Sequence, residues 1–317
     1  MSASVPQPTK YSRRIHHMVP LLWMVSLLAA AAPLPAQDSA ATRIVTLGTG
    51  TPNPDPERSG PATAVVVNGV AYLVDAGPGV VRRAAEAARN GIPALTAARL
   101  NIVFLTHLHS DHTAGLADVI HTGWVAGRER PLRLLGPPGT VAMAEHLTEA
   151  YRADIDNRLH GLQPHTALGW KVEATDLRGG EVYRDSNVTV TAIPVHHDGW
   201  EVAFGYRFQT RDRIIVISGD TAPVDALATA CNGCDVLVHE VYSVKGFLTR
   251  TPDWQRYHKD AHTSAAELAA LAAKARPKLL LLTHLMLWGG ATVDDLLGDI
   301  RAGYAGPVVA ARDLGIY

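Results

Sequence analysis

The chain has 317 residues, of which 47% are hydrophobic and 19% are charged, and its formal net charge is −1. The length and composition are those of one ordinary globular unit. The near balance of acidic and basic residues gives no sign of the basic surface that marks many nucleic-acid-binding proteins.

The first 36 residues differ from the rest of the chain. Lys10, Arg13 and Arg14 supply positive charge, residues 19–32 are largely apolar, and Ala36 follows a Pro-Leu-Pro run. This pattern predicts a cleaved secretory signal peptide over residues 1–36, followed by a polar linker over residues 37–42. A membrane anchor is the alternative, but the apolar run is interrupted by proline and is shorter than the ~18 to 20 residues that a span needs.

Cleavage there would leave 26 basic against 30 acidic residues, because the leader holds three of the 29 basic residues and none of the acidic ones. We therefore expect a mildly acidic periplasmic or secreted protein with no stable membrane span after cleavage.

Alternating or continuous apolar runs predict strands, in chain order, at Arg43–Leu47, Ala62–Val67, Ala71–Val74, Asn101–Leu105, Leu132–Leu135, Val188–Val195, Arg213–Ile217, Asp235–Val238, Lys278–Thr283 and Pro307–Ala310. Helical periodicity predicts helices at Val80–Arg89, Ala114–Val125, Val141–Tyr151, Val224–Ala230, Ser264–Lys274 and Val293–Ala302. Periodicity alone indicates a mixed α/β protein.

A cluster of metal-ligating side chains follows the strand at Asn101–Leu105. His107, His109, Asp111 and His112 fall within six consecutive positions. Along an extended chain His107 and His109 point to the same side and can bind one cation, while Asp111 and His112 come from the following turn and can reach a second. Imidazole and carboxylate together suit zinc.

The segment His107–His112 resembles the HxHxDH motif of the metallo-β-lactamase-fold hydrolases, and further ligands follow in the expected order at strand ends. The resemblance extends from Arg43 to the C-terminus. It implies a single domain over residues 43–317 with the four-layer αβ/βα sandwich, and two zinc ions per chain. The implied metal ligands are His107, His109, His197 and Asp220 for one ion, and Asp111, His112, Asp220 and His284 for the other.

Which residue of the His196-His197 pair binds metal is ambiguous, because adjacent strand residues point apart. Exported arylsulfatase-like relatives carry Asp-His here, before a Tyr-Arg segment that Tyr206-Arg207 matches. We therefore assign His197 as the ligand and keep His196 as the alternative.

Two further motifs resemble the ribonuclease Z and arylsulfatase branch of the family. His239-Glu240 follows a strand, and His262 precedes a helix. The resemblance implies that His262 protonates the leaving oxygen and that Glu240 orients His262. The same resemblance implies that Asp111 orients the attacking water or accepts its proton. It also implies that Asp75 orients a loop or a ligand below the metals.

The cysteines Cys231 and Cys234 form a C-x-x-C segment, and two thiols alone cannot complete a structural zinc site. We expect an inert or loosely bridged pair. A local disulfide is an alternative in an oxidising compartment.

These features predict an exported, dinuclear zinc hydrolase that acts on small sulfate or phosphate esters, similar to an arylsulfatase or a phosphodiesterase. A lactone, β-lactam or carboxylester hydrolase is the alternative within the enzymes. A non-catalytic metal- or partner-binding protein is the alternative outside them.

Nucleic acid is not expected as a substrate. Ribonuclease Z proteins carry a basic, glycine-rich arm for tRNA, in many of them between the segments that correspond to Tyr206-Arg207 and Ser218–Thr221. Here only the ten residues Phe208–Ile217 separate Arg207 from Ser218. Together with the mildly acidic mature chain, this predicts a small-molecule ester and no tRNA or other nucleic acid. A homodimer is compatible with the sequence.

The shape of the substrate site is expected to come from loops. We expect residues 242–260, which contain Phe247, Trp254 and Tyr257, to wall an apolar or aryl pocket, and residues 152–170 to cover its opposite side. The alternative is that both segments are packing loops.

Overall fold

The computed structural model describes residues 42–317. The predicted signal peptide over residues 1–36 and most of the predicted linker over 37–42 lie outside this part of the chain. Within residues 42–317, no helix combines the length and the apolar character needed to cross a membrane.

The described residues form two sheets. Their strands are β1 (Arg43–Gly48), β2 (Ala62–Val67), β3 (Val70–Val74), β4 (Ile102–Phe104), β5 (Leu132–Gly136), β6 (Val172–Asp176), β7 (Gly180–Arg184), β8 (Thr189–Val195), β9 (Ala203–Gln209), β10 (Ile214–Ile217), β11 (Val236–Tyr242), β12 (Leu279–Met286), β13 (Val308–Ala310) and β14 (Gly315–Ile316). The first sheet has the order β14-β1-β2-β3-β4-β5-β6, and the second has the order β13-β12-β11-β10-β9-β8-β7.

The helices in the same part of the chain are α1 (Val80–Arg89), α2 (Ser110–Thr113), α3 (Leu116–Val125), α4 (Thr140–Ala150), α5 (Arg152–His160), α6 (Asp225–Cys231), α7 (Val244–Phe247), α8 (Pro252–Ala261), α9 (Ala265–Ala275) and α10 (Val293–Gly303). In the first sheet, strands β3 to β6 pair in parallel, and in the second sheet, strands β10 to β13 pair in parallel. The strands before each of these sets pair antiparallel.

The core lies in three apolar layers. One is between the two sheets and contains Phe104 and Tyr206; the other two lie outside the sheets, against α1 and α3 on one side and α6, α9 and α10 on the other. Burial on both faces explains why β2, Ala62–Val67, is apolar at every position except Thr63. The predicted αβ/βα sandwich is therefore confirmed.

Two segments that looked like loops in the sequence contain helices. Residues 152–170 include α5, and residues 242–260 include α7 and most of α8. Helix α5 buries only Ile155, and α8 buries only His258 and Ala261, so neither has the aliphatic stripe that a periodicity search detects. Cys231 and Cys234 form a disulfide, the alternative that the sequence left open.

Arg128 is a buried cation in the first half of the molecule, with 1% of its surface exposed. Its guanidinium donates hydrogen bonds to the carbonyl oxygens of Val119 at 2.9 Å, Ile120 at 2.6 Å, Leu100 at 3.2 Å and Gly169 at 2.9 Å. Burial lowers its pKa to about 10. These bonds join α3 to the chain that leads into β6.

We expect Arg128→Met to lower the free energy of unfolding by about 3 kcal/mol or more, because it leaves several buried carbonyl oxygens without a donor. Urea unfolding monitored by circular dichroism measures this. The control is Arg130→Met, at an exposed position two residues away. A difference between the two variants below about 1 kcal/mol would contradict the role of Arg128.

Candidate metal centre

The first sheet delivers four of the proposed ligands from one strand end. Strand β4 ends at Phe104, His107 and His109 follow in extended chain, and Asp111 and His112 lie in the short helix α2. His107 Nε2 lies 3.0 Å from His109 Nδ1, so the two imidazoles face the same point as expected from strand alternation.

His197 completes a cluster of three imidazoles. Its Nε2 lies 3.1 Å from His109 Nδ1, while its Nδ1 lies 2.7 Å from the carbonyl oxygen of Ala261. A carbonyl accepts only from a protonated nitrogen, so Nε2 is left as the lone-pair donor toward the cluster. Burial lowers the pKa of His107, His109 and His197, which favours the neutral form that binds metal.

His196 lies elsewhere. Its side chain is exposed, and its Nε2 is 3.2 Å from Asp260 Oδ1. The structure therefore places His197 in the cluster and His196 at the surface, and the role of His197 as a metal ligand stays a prediction.

A second cluster contains Asp111, His112 and His284. Asp111 Oδ2 is 3.5 Å from His112 Nε2 and 3.3 Å from His284 Nε2. All three side chains are buried. His112 Nε2 has no hydrogen-bond partner among the described residues although it is buried. A buried nitrogen with a free lone pair, aimed at carboxylates, fits a bound cation.

Asp220 lies where the two clusters meet. Its Oδ2 is 3.3 Å from His112 Nε2 and 3.4 Å from His284 Nε2, and its carboxylate also falls within 4.8 Å of ligand atoms of His107 and His197. Burial alone would raise the pKa of Asp220, but the imidazoles of His284 and His112 hold it well below its usual value. An anionic carboxylate between two sets of imidazoles can contact two cations.

Asp75 contacts both the chain after β4 and one residue of the second cluster. Its Oδ1 accepts a hydrogen bond from the backbone N–H of Thr106 at 2.8 Å, and its Oδ2 is 2.8 Å from His112 Nδ1. Asp75 has a φ of 62°, a left-handed conformation that is strained for a residue with a side chain. The strained backbone places one carboxylate against both the strand end and a ligand.

His284 reaches the site through an irregularity in β12. The sequence predicted a strand that ends before His284, whereas β12 continues to Met286. Glu240 pairs with Thr283 and Val241 pairs with Leu285, so His284 is an extra residue in a β-bulge, with a φ of 46°. Such a bulge redirects a side chain out of the normal alternation.

Glu240 and His262 form a pair beside Asp220. His262 Nδ1 is 3.2 Å from Glu240 Oε1 and 3.9 Å from Asp220 Oδ2. The same Glu240 oxygen accepts backbone N–H groups of Thr221 at 3.2 Å and Thr263 at 3.0 Å. Burial lowers the pKa of His262 to about 4 and raises that of Glu240 well above its usual value.

A cavity of about 660 Å³ opens over these groups. Its floor includes His109, Asp111, His262 and His284, and one wall is formed by Arg250, Trp254, Tyr257, His258 and Trp288. The sequence suggested that residues 242–260 wall a pocket and that residues 152–170 cover the opposite side. The second suggestion is wrong, because none of residues 152–170 lines the cavity, whereas Thr51, Pro52 and Asn53 do.

Sequence reasoning missed three of the groups around the site. The indole Nε1 of Trp200 lies 3.1 Å from His109 Nε2, and Arg250 and Trp288 line the cavity. The adjacency of Trp200 to His197 could have suggested its place. Nothing in the sequence joins Arg250 to Trp288, which come together only through the packing of the loop before α8 against the chain after β12.

Comparison with known proteins supplies the family. The family model for the "Beta-lactamase superfamily domain" matches residues 71–285. The chain is 38% identical over 248 residues to a protein named ribonuclease Z from Mycobacterium bovis. This match covers 76% of this chain and 85% of that protein. The ribonuclease Z of Mycobacterium marinum matches at the same identity and with the same coverage.

Solved structures agree on the fold. The metallo-β-lactamase fold protein YhfI from Bacillus subtilis superposes with a TM-score of 0.67 at 18% identity, over 87% of this chain and 99% of that one. The short form of human tRNase Z gives a TM-score of 0.64 at 21% identity, over 87% of this chain and 98% of that one.

These relatives correct the predicted substrate. The expectation of an exported, arylsulfatase-like enzyme for small sulfate or phosphate esters is wrong, because the curated relatives are ribonuclease Z proteins. The signal-peptide and periplasmic description conflicts with that identity as well. The compartment itself is tested by none of the comparisons and stays a prediction, as does the division into residues 1–36, 37–42 and 43–317.

The expectation that no nucleic acid is bound is wrong for the same reason. The short connection is real, since β9 and β10 form an antiparallel pair joined by only a few residues. However, the short connection describes only one position on the surface. The net charge is a sum over the whole chain and does not describe the charge at one binding site. A phosphodiester needs positive charge only where it binds.

We expect His197→Ala to lower the metal content of the purified full-length protein from two ions per chain to one or fewer, since it removes a buried donor from the three-imidazole cluster. His196→Ala is the matched control, because that imidazole is exposed and points to Asp260. Inductively coupled plasma mass spectrometry gives the metal-to-protein ratio. Equal metal content in both variants would contradict the assignment of His197.

Proposed function

The chain belongs to the ribonuclease Z branch of the β-lactamase superfamily, and we propose that it hydrolyses a phosphodiester bond of RNA with two zinc ions. It is a metal-dependent hydrolase of ester bonds, and a phosphodiester is such a bond. The proposed ligands are His107, His109, His197 and Asp220 for one ion and Asp111, His112, Asp220 and His284 for the other.

The observation that carries the proposal is the position of the Asp220 carboxylate. Its Oδ2 lies 3.3 and 3.4 Å from the nitrogens of His112 and His284, and its carboxylate lies within 4.8 Å of ligand atoms of His107 and His197. A carboxylate placed between both sets of donors would help to hold two divalent ions. The ions, when bound, would supply Lewis-acid activation of water and of the phosphate. Imidazole and carboxylate donors suit zinc in such a site.

Asp111 and His262 are the residues of the chain that we propose to move protons. Asp111 lies in the cavity floor beside His284, at 3.3 Å, where it can orient the attacking water and accept its proton. His262 lies in the same floor and in its protonated form, which the nearby Asp220 carboxylate favours against the effect of burial, can donate a proton to the leaving oxygen. Glu240 orients His262 through the 3.2 Å contact to Nδ1, which turns Nε2 away from Glu240.

The cavity supports a nucleotide-sized substrate. Its volume of about 660 Å³ lies in the range of small-molecule sites, and the indoles and imidazoles of its wall offer flat apolar surfaces for bases. Arg250 provides a cation on that wall. RNA therefore has local partners here although the chain as a whole is not basic.

The zinc-loaded full-length protein is expected to cleave a structured RNA that carries a single-stranded 3′ extension, and Asp220→Ala is expected to lose both activity and metal. Gel analysis of end-labelled RNA and metal analysis measure the two effects. Asp260→Ala, which changes an exposed carboxylate, is the control and should retain both. Absence of cleavage by the zinc-loaded wild-type protein would overturn the proposed function.

His262→Ala is expected to slow a ribonucleotide leaving group about 100-fold or more and a nitrophenolate leaving group about tenfold or less, because a good leaving group needs little protonation. The substrates are an RNA phosphodiester and the p-nitrophenyl ester of a nucleotide, compared by kcat at saturating concentration. Unchanged metal content is the internal control. Equal slowing of both substrates would remove the proton-donor role.

A further inference from the structure

The wall of the cavity contains an aromatic cluster that neither the metal ligands nor the proton-transfer residues require. It consists of Arg250, Trp254, His258 and Trp288, which we call the ring wall. The Trp254 and His258 rings stack with centroids 5.4 Å apart and planes at 20°, and the His258 and Trp288 rings are 4.2 Å apart at 36°. The imidazole of His258 thus packs against both indoles.

Arg250 lies over both indoles of the ring wall. Its guanidinium carbon is 4.9 Å from the Trp254 ring centre and 5.1 Å from the Trp288 ring centre. The neighbouring Asp253 pairs with Arg256, and no carboxylate within residues 42–317 forms an ion pair with Arg250, whose buried Nε has no hydrogen-bond partner there. A guanidinium held by stacking and free of an acid partner is suited to bind an anion such as phosphate.

His258 carries unused hydrogen-bonding capacity. It is 6% exposed, it lines the cavity, and neither ring nitrogen has a hydrogen-bond partner among the described residues. A neutral imidazole offers one donor and one acceptor. Because buried polar atoms are normally satisfied, this unpaired set points to a ligand that supplies the complementary acceptor and donor.

Trp254 supplies a surface for stacking. Its side chain is 49% exposed although it is a large apolar group, and it lies in α8 on the wall of the cavity. An exposed indole beside an unpaired guanidinium is the combination that binds a nucleobase and its phosphate in single-stranded nucleic acid.

The ring wall is continuous with the proposed reaction site. The His258 ring is 5.6 Å from the His262 ring, which is 5.8 Å from the His284 ring and nearly parallel to it. His262 is the proposed donor to the leaving oxygen. A base on the ring wall would therefore belong to the nucleotide that carries this oxygen.

We propose that Arg250, Trp254, His258 and Trp288 form a subsite for one unpaired nucleobase, on the leaving-group side of the cleaved phosphodiester. Trp254 stacks on the base, His258 hydrogen-bonds its edge, and Arg250 contacts the adjoining phosphate. This subsite rests on the proposed function, because it assumes an RNA substrate cleaved beside His262.

The test compares two RNA oligonucleotides that differ at one position. The cleavage site is first mapped with the wild-type protein, and the base of the leaving-group nucleotide is then replaced by an abasic residue. Trp254→Ala is expected to lower kcat/KM about tenfold on the oligonucleotide with the base. On the abasic oligonucleotide the same substitution should lower kcat/KM by about twofold or less. The enzyme is the full-length, zinc-loaded protein.

Trp170→Ala is the matched control. That indole lies in a separate surface depression between α4 and β6, and its removal should leave kcat/KM on both oligonucleotides unchanged. An equal loss on both oligonucleotides for Trp254→Ala would overturn the subsite while leaving the proposed function standing. Failure of the wild-type protein to cleave the base-containing oligonucleotide would instead overturn the proposed function.

His258→Phe tests the hydrogen bonds separately, because phenylalanine keeps a stacking ring and removes both nitrogens. The four bases are compared at the leaving-group position, and the ratio of the largest to the smallest kcat/KM is expected to shrink at least threefold in the variant. An unchanged ratio would show that His258 does not read the base.

Discussion

The position of one buried carboxylate, that of Asp220, governs the architecture of the site. It lies 3.3 and 3.4 Å from imidazole nitrogens of His112 and His284, inside a protein interior where an unpaired charge is unfavourable. Imidazoles from both sheets must converge on this carboxylate, together with the cations that the donor set fits. The other specialised features of the site serve to hold these donors in place.

Two strained residues illustrate this. Asp75 and His284 both have positive φ values, 62° and 46°, although neither is glycine. Asp75 braces the strand end that carries His107 and also contacts His112 directly, and His284 enters through a bulge in β12. Strain of this kind, ~1 to 3 kcal/mol per residue, persists only where the surrounding structure enforces it. Here the two sheets, packed over a shared apolar layer, enforce it from opposite sides.

The substrate was the part that sequence reasoning judged wrongly. A short connection between β9 and β10 and a mildly acidic composition were taken to exclude RNA, but both are indirect measures of a binding surface. The groups that could bind a nucleotide are Arg250, Trp254, His258 and Trp288, and they come from a loop, from helix α8 and from the chain after β12. Their contacts, such as the guanidinium of Arg250 over two indoles, do not leave a linear pattern.

The sequence by itself determined the family, the layered α/β architecture and the central cluster His107–His112, because strand alternation and a tight turn act over a few neighbouring residues. The strands and helices with strong periodicity, such as Ala62–Val67 and Val80–Arg89, were predicted with the bounds that the structure has. Only the tertiary structure decided which of His196 and His197 faces the cluster, how His284 reaches it through a bulge, and which residues wall the cavity. Helix α8 escaped prediction since its buried side is formed by His258 and Ala261 and not by an aliphatic stripe. The physical reason is common to these cases: contacts between residues far apart in the chain depend on how the two sheets pack, and no local pattern encodes that packing.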